Sequence, residues 1–177
     1  MEINEQKGNY YIIADHLRTT IFALADGAII EPKGRGYILK KLIKRSCLIA
    51  HFLNLSPNDL LSVSKKMIEV NSIYYSHLKE QETKLLATVE EEVVKMFQFI
   101  KEKEKEIAKI LLNLNNIIIP AQDVFFWYDT RGIPLELVNS ELKRNDCSYN
   151  KEEFNKLLAE QKDRGKRDRD QKGIKAF

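Results

Sequence analysis

The longest helical pattern, from Lys84 to Leu114, places the strongest limit on the fold that this chain can adopt. Apolar residues recur there at steps of three and four, with a break near Lys103, and glutamates and lysines fill the other positions. This spacing indicates one amphipathic helix, about 45 Å long for about 30 residues. The mixed charges are typical of a solvated face, and too few heptads are unbroken to require a coiled coil.

Glycine and proline are scarce along the chain. Seven glycines and four prolines in 177 residues favour long helices over a turn-rich β fold. We therefore predict an all-α fold, a multi-helix domain with one long helix and two helical subdomains. The subdomains are predicted at residues 9–116 and 117–166, and the ends, 1–8 and 167–177, are predicted to be flexible.

The other helices are predicted from apolar spacing and from start and stop residues. Ser56-Pro57 is a helix-start signal, and Asn150 begins a sequence similar to a capping box. The stretch Ile117–Ile119 fits either a short strand or a buried linker. After Gln161 apolar residues disappear, which indicates a mobile tail over 162–175. Helices are predicted over 10–25, 36–53, 57–70, 121–128, 135–142 and 151–161.

Composition limits the classes of function. Hydrophobic residues make up 44% of the chain and charged residues 31%, and the net charge is only +3, so anion binding must depend on local clusters. Two cysteines, Cys47 and Cys147, form no disulfide framework and suit a reducing compartment. No apolar run approaches the ~18–20 residues of a membrane span. The sequence therefore predicts a cytoplasmic protein.

A basic helix follows Gly34-Arg35-Gly36. On a helical projection Lys40, Lys41 and Lys44 share one arc, and no Asp or Glu occurs between Pro32 and Asn58 to neutralise it. The pattern predicts an anion-binding face, although an ordinary solvated face or a membrane-surface helix remains an alternative. The opposite arc is predicted to enter the core, with Ile38, Leu39, Leu42, Ile43, Ile49 and Ala50.

Catalytic and metal motifs are weakly represented. Cys47 and His51 lie one helical turn apart, which is half of a zinc site, but the sequence offers no second half. There is no glycine-rich phosphate loop. We therefore assign no catalytic residue, no metal ligand and no cofactor.

The turn from Tyr128 to Pro134 places Asp129 between aromatic residues and a forced change of direction. Asp129 could simply accept hydrogen bonds from nearby backbone N–H groups at a helix end. An acid between aromatic residues and a forced turn could also have a functional role. Both alternatives stay open on the residues alone.

Four stretches together resemble alanyl-tRNA synthetases, in the same order and at similar spacing. The resemblance spans about Tyr10 to Arg169. The stretches are Ile13–Thr19 with Phe22–Gly27, Gly34–Lys41 with Lys44-Arg45, Phe126–Thr130 with Gly132 and Pro134, and Glu153-Phe154 with Glu160-Gln161 and Arg164.

The resemblance implies a helical tRNA-recognition region that lies between a class II catalytic domain and an editing domain. The full enzyme would attach alanine to tRNA with ATP and magnesium, whereas this piece lacks the catalytic motifs and is expected to be inactive alone. The implied partners are the tRNA acceptor stem and the enzyme's other domains.

The resemblance also implies roles for single residues. The family reads a G·U pair in the acceptor stem, and guanine's exocyclic amine is the base donor in the open RNA minor groove. Asp129 would accept from that amine. Phosphates would be held by Arg35, Lys41, Lys44 and Arg45, which would position the stem without reading its sequence. The implied RNA-binding residues are Arg35, Tyr37, Lys40, Lys41, Lys44, Arg45 and Asp129.

This chain also departs from the family's pattern. Pro32 stands where an asparagine is common, and Arg131 and Ile133 replace aromatic residues beside Gly132. Lys40 and Lys41 replace arginines, which keeps the charge but loses the bidentate fork. A discrimination that is weaker, or that depends more strongly on Asp129, is therefore expected. The rival interpretation is a helical scaffold that uses the long Glu/Lys helix to dock proteins.

Overall fold

The computed structural model describes residues 3–113 and 118–171, and these residues form eight helices and one small parallel sheet. The predicted all-α fold is confirmed. The helices are α1 Ile3–Ala25, α2 Gly36–Phe52, α3 Pro57–Asn71, α4 Ser76–Glu80, α5 Glu82–Leu112, α6 Ala121–Asp129, α7 Leu135–Arg144 and α8 Lys151–Gln171. The strands are β1 Ile118–Ile119 and β2 Ser148–Tyr149.

The chain divides into two compact units, Met1–Ile100 and Lys101–Phe177. The subdomain boundary predicted between residues 116 and 117 lies outside the described residues. So do residues 1–2 and 172–177 of the predicted flexible ends.

Both terminal helices are longer than predicted. Helix α1 already begins at Ile3, within the predicted leader, and α8 continues to Gln171, within the predicted tail. These extensions contain no proline, and each added residue of an anchored helix gains a backbone hydrogen bond. The helices α1 and α8 therefore continue through polar segments that were predicted to lie outside them.

The core of the first unit comes from regularly spaced residues of α1, α2, α3 and α5. Helix α1 contributes Ile13, Leu17 and Ile21, each at most 3% exposed and one turn apart. The predicted stripe of α5 is buried at Val89, Val93 and Ile100. The helix α3 begins with the predicted cap, because Ser56 Oγ accepts from Asp59 N and Asp59 Oδ2 accepts from Ser56 N.

The second unit is built around the parallel pair β1 and β2, each followed by a helix, α6 and α8. Ile118 and Ile119 form a strand, while Ile117 lies outside the described residues. Asn150 caps α8 by accepting from the backbone N–H groups of Glu152 and Glu153. The core of this unit includes Ile107, Ile119, Val124, Trp127, Ile133, Leu137, Val138, Leu142 and Phe154.

Within the described ranges, every helix is too short or too polar to cross a membrane.

Candidate nucleic-acid interface

A groove in the first unit brings together four of the predicted RNA-binding residues. Its volume is about 390 Å³, and it lies between α2 and α5. Met96 and Phe99 give it apolar surface, and cationic side chains from both helices surround this surface. We call it the basic groove; it is lined by Tyr37, Lys40, Lys41, Lys44, Glu92, Lys95, Met96 and Phe99.

The charge of the basic groove is positive but partly compensated. Four lysines and one glutamate line it, which gives a formal charge of +3. Two acids of α5 compensate the charge of Lys95, because Glu91 Oε1 lies 2.5 Å and Glu92 Oε1 lies 3.7 Å from Lys95 Nζ. The prediction that no acid lies near the basic face was therefore wrong in three dimensions. The remaining positive charge still favours a polyanion.

Aromatic rings hold two of the lysines in the basic groove. Lys41 Nζ lies 4.7 Å from the centre of the Tyr37 ring, and Lys44 Nζ lies 5.4 Å from that of Phe99. Such cation–π contacts restrict the lysine stems while the ammonium groups keep their charge. The groove thus presents partly preorganised cations, which reduces the entropy lost when a phosphate binds.

The inward face of α2 differs from the prediction at Ile38, which is 59% exposed. At 100° per residue Ile38 lies close to Arg45 around the helix and about 100° from Leu39, at the edge of the buried arc. Leu39, Ile43 and Ala50 are buried as predicted. Burial also includes Ser46 and Cys47, which continue the same arc.

Arg35, which precedes α2, and Arg45, which lies within α2, are both exposed. Neither residue lines the basic groove. Arg35 occupies the N-cap position with helical dihedral angles, φ −67° and ψ −37°. Arg45 lies near His16 of α1, and burial together with the Arg45 charge lowers the pKa of His16. Both guanidinium groups extend the cationic surface of α2 beyond the groove.

Cys47 of α2 is a buried thiol. Burial raises the pKa of the Cys47 thiol to about 12, so the thiolate needed for metal binding or nucleophilic attack is disfavoured. In the part of the chain that the structure describes, no group of three or more His, Cys, Asp or Glu residues could hold a metal ion.

Asp129 lies in the second unit, as the last residue of α6, and is exposed. The chain then turns through Gly132, whose φ is +65°, and Ile133 N donates to Trp127 O at 3.0 Å. Glycine suits this left-handed conformation. Buried Trp127 and Ile133 anchor the turn on both sides of the carboxylate.

The Asp129 carboxylate does not serve the local backbone. The N–H groups of Thr130 and Arg131 both donate to Phe126 O, at 2.9 and 3.1 Å. Asp129 Oδ1 instead accepts from Gln161 Nε2 of α8 at 2.7 Å. A carboxylate offers about four acceptor positions, so this bond leaves capacity for a ligand that donates hydrogen bonds.

Arg131, one of the departures from the family's pattern, contacts an acid of α5 and an aromatic ring of α6. Its guanidinium lies 2.9 Å from Glu106 Oε1 and 5.6 Å from the centre of the Phe126 ring. Phe126 is 46% exposed and Tyr128 38% exposed. Exposed aromatic surface thus flanks the carboxylate of Asp129.

Three residues, two beside the lysines of the first unit and one beside Asp129 in the second unit, were not assigned a functional role by the sequence interpretation. Glu92 and Lys95 join the basic groove only because α5 packs beside α2, which periodicity cannot show. Gln161 was noted in the closing helix of the family resemblance, but its contact with Asp129 spans 32 residues of sequence.

Comparisons with known proteins identify the family that this sequence matches. Residues 2–176 match the family described as tRNA synthetases class II (A). An alanine–tRNA ligase of Rickettsia massiliae (strain Mtu5) is 31% identical over 166 residues, which cover 92% of this chain and 19% of that protein. The alanine–tRNA ligase of Helicobacter hepaticus (strain ATCC 51449 / 3B1) is 27% identical over 174 residues, covering 94% of this chain and 20% of that protein. The chain thus spans about one fifth of the length of these curated relatives.

Proposed function

Because the chain belongs to the class II tRNA synthetase family, we propose that it is the part of an alanine–tRNA ligase that binds the acceptor stem of tRNA. The relatives named alanine–tRNA ligase are about five times as long as the segment that this chain matches. Attachment of alanine with ATP and magnesium is therefore proposed for the whole protein, and a cytoplasmic location remains a prediction from the sequence.

The basic groove is the observation that carries this proposal. Lys40, Lys41 and Lys44 of α2 meet Lys95 of α5 over an apolar floor. Spaced ammonium groups bind phosphates without reading sequence, and they make the affinity depend strongly on salt. Arg35 and Arg45 extend this cationic surface along the same helix.

Asp129 is the proposed reader of the G·U pair. An exposed carboxylate can accept a hydrogen bond from the guanine amine, which a wobble pair presents in the shallow RNA minor groove. The exposed neighbours Phe126 and Tyr128 are aromatic, as is common on RNA-binding surfaces. Phosphate contacts and base reading are thereby assigned to different residues.

The rival scaffold interpretation has less support. On the exposed face of α5, Glu91 Oε1 lies 2.5 Å from Lys95 Nζ, one turn away along the same helix. Charges that are satisfied within one helix are typical of a solvated face.

The test is a titration of the full chain with two RNA hairpins that reproduce an alanine acceptor stem and differ only in a G·U or a G·C pair. We expect steep salt dependence for both hairpins and tighter binding of the G·U hairpin. Asp129→Asn should reduce the ratio of the two affinities more than it reduces binding of the G·C hairpin, because it changes base reading and keeps the phosphate contacts.

Asp123→Asn is the matched control, since Asp123 is also an exposed aspartate of α6 but lies in its first turn. It should keep the wild-type ratio. Equal affinity of the wild type for both hairpins would overturn the proposed reading of G·U. Self-association without RNA binding would favour the scaffold.

A further inference from the structure

Helices α6 and α8 run side by side in the same direction within the second unit. Their preceding strands pair in parallel, with Ile118 opposite Ser148. At the start of the two helices, Gln122 Nε2 donates to Glu153 Oε1 at 2.7 Å. The sequence separation of these partners is almost constant, 30 residues in the sheet and 31 in the first turn of the helices. The pairing of the strands therefore sets the register of the helices.

The same register reaches the other end of α6. Asp129 Oδ1 accepts from Gln161 Nε2, and the two residues are 32 positions apart. Between the two ends, Phe154 of α8 is 2% exposed and its ring packs against the ring of Tyr128 at a centroid distance of 6.0 Å. The buried ring of Phe154 thus packs α8 against the end of α6 that carries Asp129.

Asp129 stands in an unfavourable place for a carboxylate. It is the last residue of α6, where the helix dipole repels negative charge. The backbone N–H groups that follow it are already bonded to Phe126 O. The hydrogen bond from Gln161 therefore orients the side chain of Asp129.

We propose that Gln161 is a positioning residue that aims the Asp129 carboxylate and so determines how strongly the chain prefers a G·U pair. This inference rests on the proposed function. A neutral amide suits the role because it donates a hydrogen bond without neutralising the acid. A lysine or arginine in its place would compete as a cation for the oxygens that the guanine amine needs.

Removing the amide releases the carboxylate to rotate about its side-chain bonds. The acid would then have to be ordered each time it accepts from guanine, and the reading of the G·U pair would weaken. Phosphate contacts on α2 belong to other side chains, so binding of the G·C hairpin should stay unchanged.

The test compares Gln161→Met with Gln122→Met in the full chain, using the G·U and G·C hairpins. Methionine keeps the length of the side chain and removes the donor. Gln122 is the matched control, because it makes the same kind of glutamine–carboxylate bond at the other end of the same helix pair. Thermal unfolding of each variant is measured by circular dichroism.

We expect Gln161→Met to lower the ratio of the two affinities by about twofold to tenfold, the range that one net hydrogen bond represents, and Gln122→Met to keep it. In an Asp129→Asn background Gln161→Met should cause no further loss of the preference for G·U, because the two residues act as one unit.

If Gln161→Met keeps the wild-type ratio of the two affinities while Asp129→Asn loses it, this inference is overturned and the proposed function is left intact. Equal losses in both glutamine variants, together with equal losses of thermal stability, would overturn it as a general packing effect. A wild type that does not discriminate would overturn both proposals.

Discussion

The backbone of Gly36 lies directly against the carbonyl oxygen of Ile29, so that a Cβ atom at Gly36 would overlap this oxygen. The same atom would lie 2.8 Å from Glu31 N. Both neighbours are backbone atoms, which cannot move aside as a flexible side chain does. Gly36 is the first residue of α2 and follows Arg35, so the close approach joins the preceding loop to the start of the basic helix.

Gly36→Ala is expected to destabilise the chain by about 1–3 kcal/mol, the usual cost of an overpacked contact. Gly8→Ala is the control, because a Cβ atom there meets nothing within 4 Å and Gly8 lies inside α1. It should stabilise the chain by about 0.5–1 kcal/mol. Urea unfolding followed by circular dichroism measures both values. A neutral Gly36→Ala would show that the loop yields to α2.

Lys44→Gln is expected to weaken binding of the G·U and G·C hairpins by the same factor and to reduce the slope of log K against log salt by about 1. Glutamine removes the charge but keeps much of the stem that packs beside Phe99. Lys66→Gln is the control, since Lys66 of α3 pairs with Glu69 and is not part of the basic groove. An unequal loss on the two hairpins would assign Lys44 a part in base reading.

Much of the fold was predictable from local signals. The stripe of α5 and the cap at Ser56 depend on residues within one or two turns of each other, and both are present as predicted. The ends of α1 and α8 were not predictable in this way, because a helix can continue through polar residues once its apolar part is anchored. Strand β2 has only two residues, too few to show an alternating pattern.

The basic groove and the surroundings of Asp129 were predictable only in part, for a different reason. The residues Lys40, Lys41 and Lys44 follow from their spacing on one helix, and they do share one groove. The contribution of Lys95 and the bond between Asp129 and Gln161 depend on packing between distant segments. Such contacts leave no periodic signal in a single sequence.

Phe154→Ala is expected to destabilise the second unit by about 3–5 kcal/mol, as is usual for the loss of a buried phenylalanine. Phe154 is 2% exposed and its ring packs against Phe125, Tyr128 and Tyr149. Tyr74→Ala is the control at an 85% exposed aromatic residue and should change stability by at most about 0.5 kcal/mol. Urea unfolding measures both. Similar values for the two variants would contradict the central role of Phe154 in this unit.

The stability of the chain is expected to decrease as the pH falls from about 7 to about 5.5, because folding lowers the pKa of His16. Burial, and secondarily the charge of Arg45, lowers its pKa below the ordinary value. The unfolded chain therefore binds more protons in this window, so the free energy of unfolding falls as pH falls. His16→Gln should flatten the pH dependence of the free energy of unfolding in this window.

At lower pH a slope should remain in both proteins, since hydrogen bonds from Ser56 to Asp59 and from Lys95 to Glu91 lower the pKa values of these acids. Urea unfolding at a series of pH values gives both curves, and an identical slope in wild type and His16→Gln above about pH 5.5 would assign the effect to other groups.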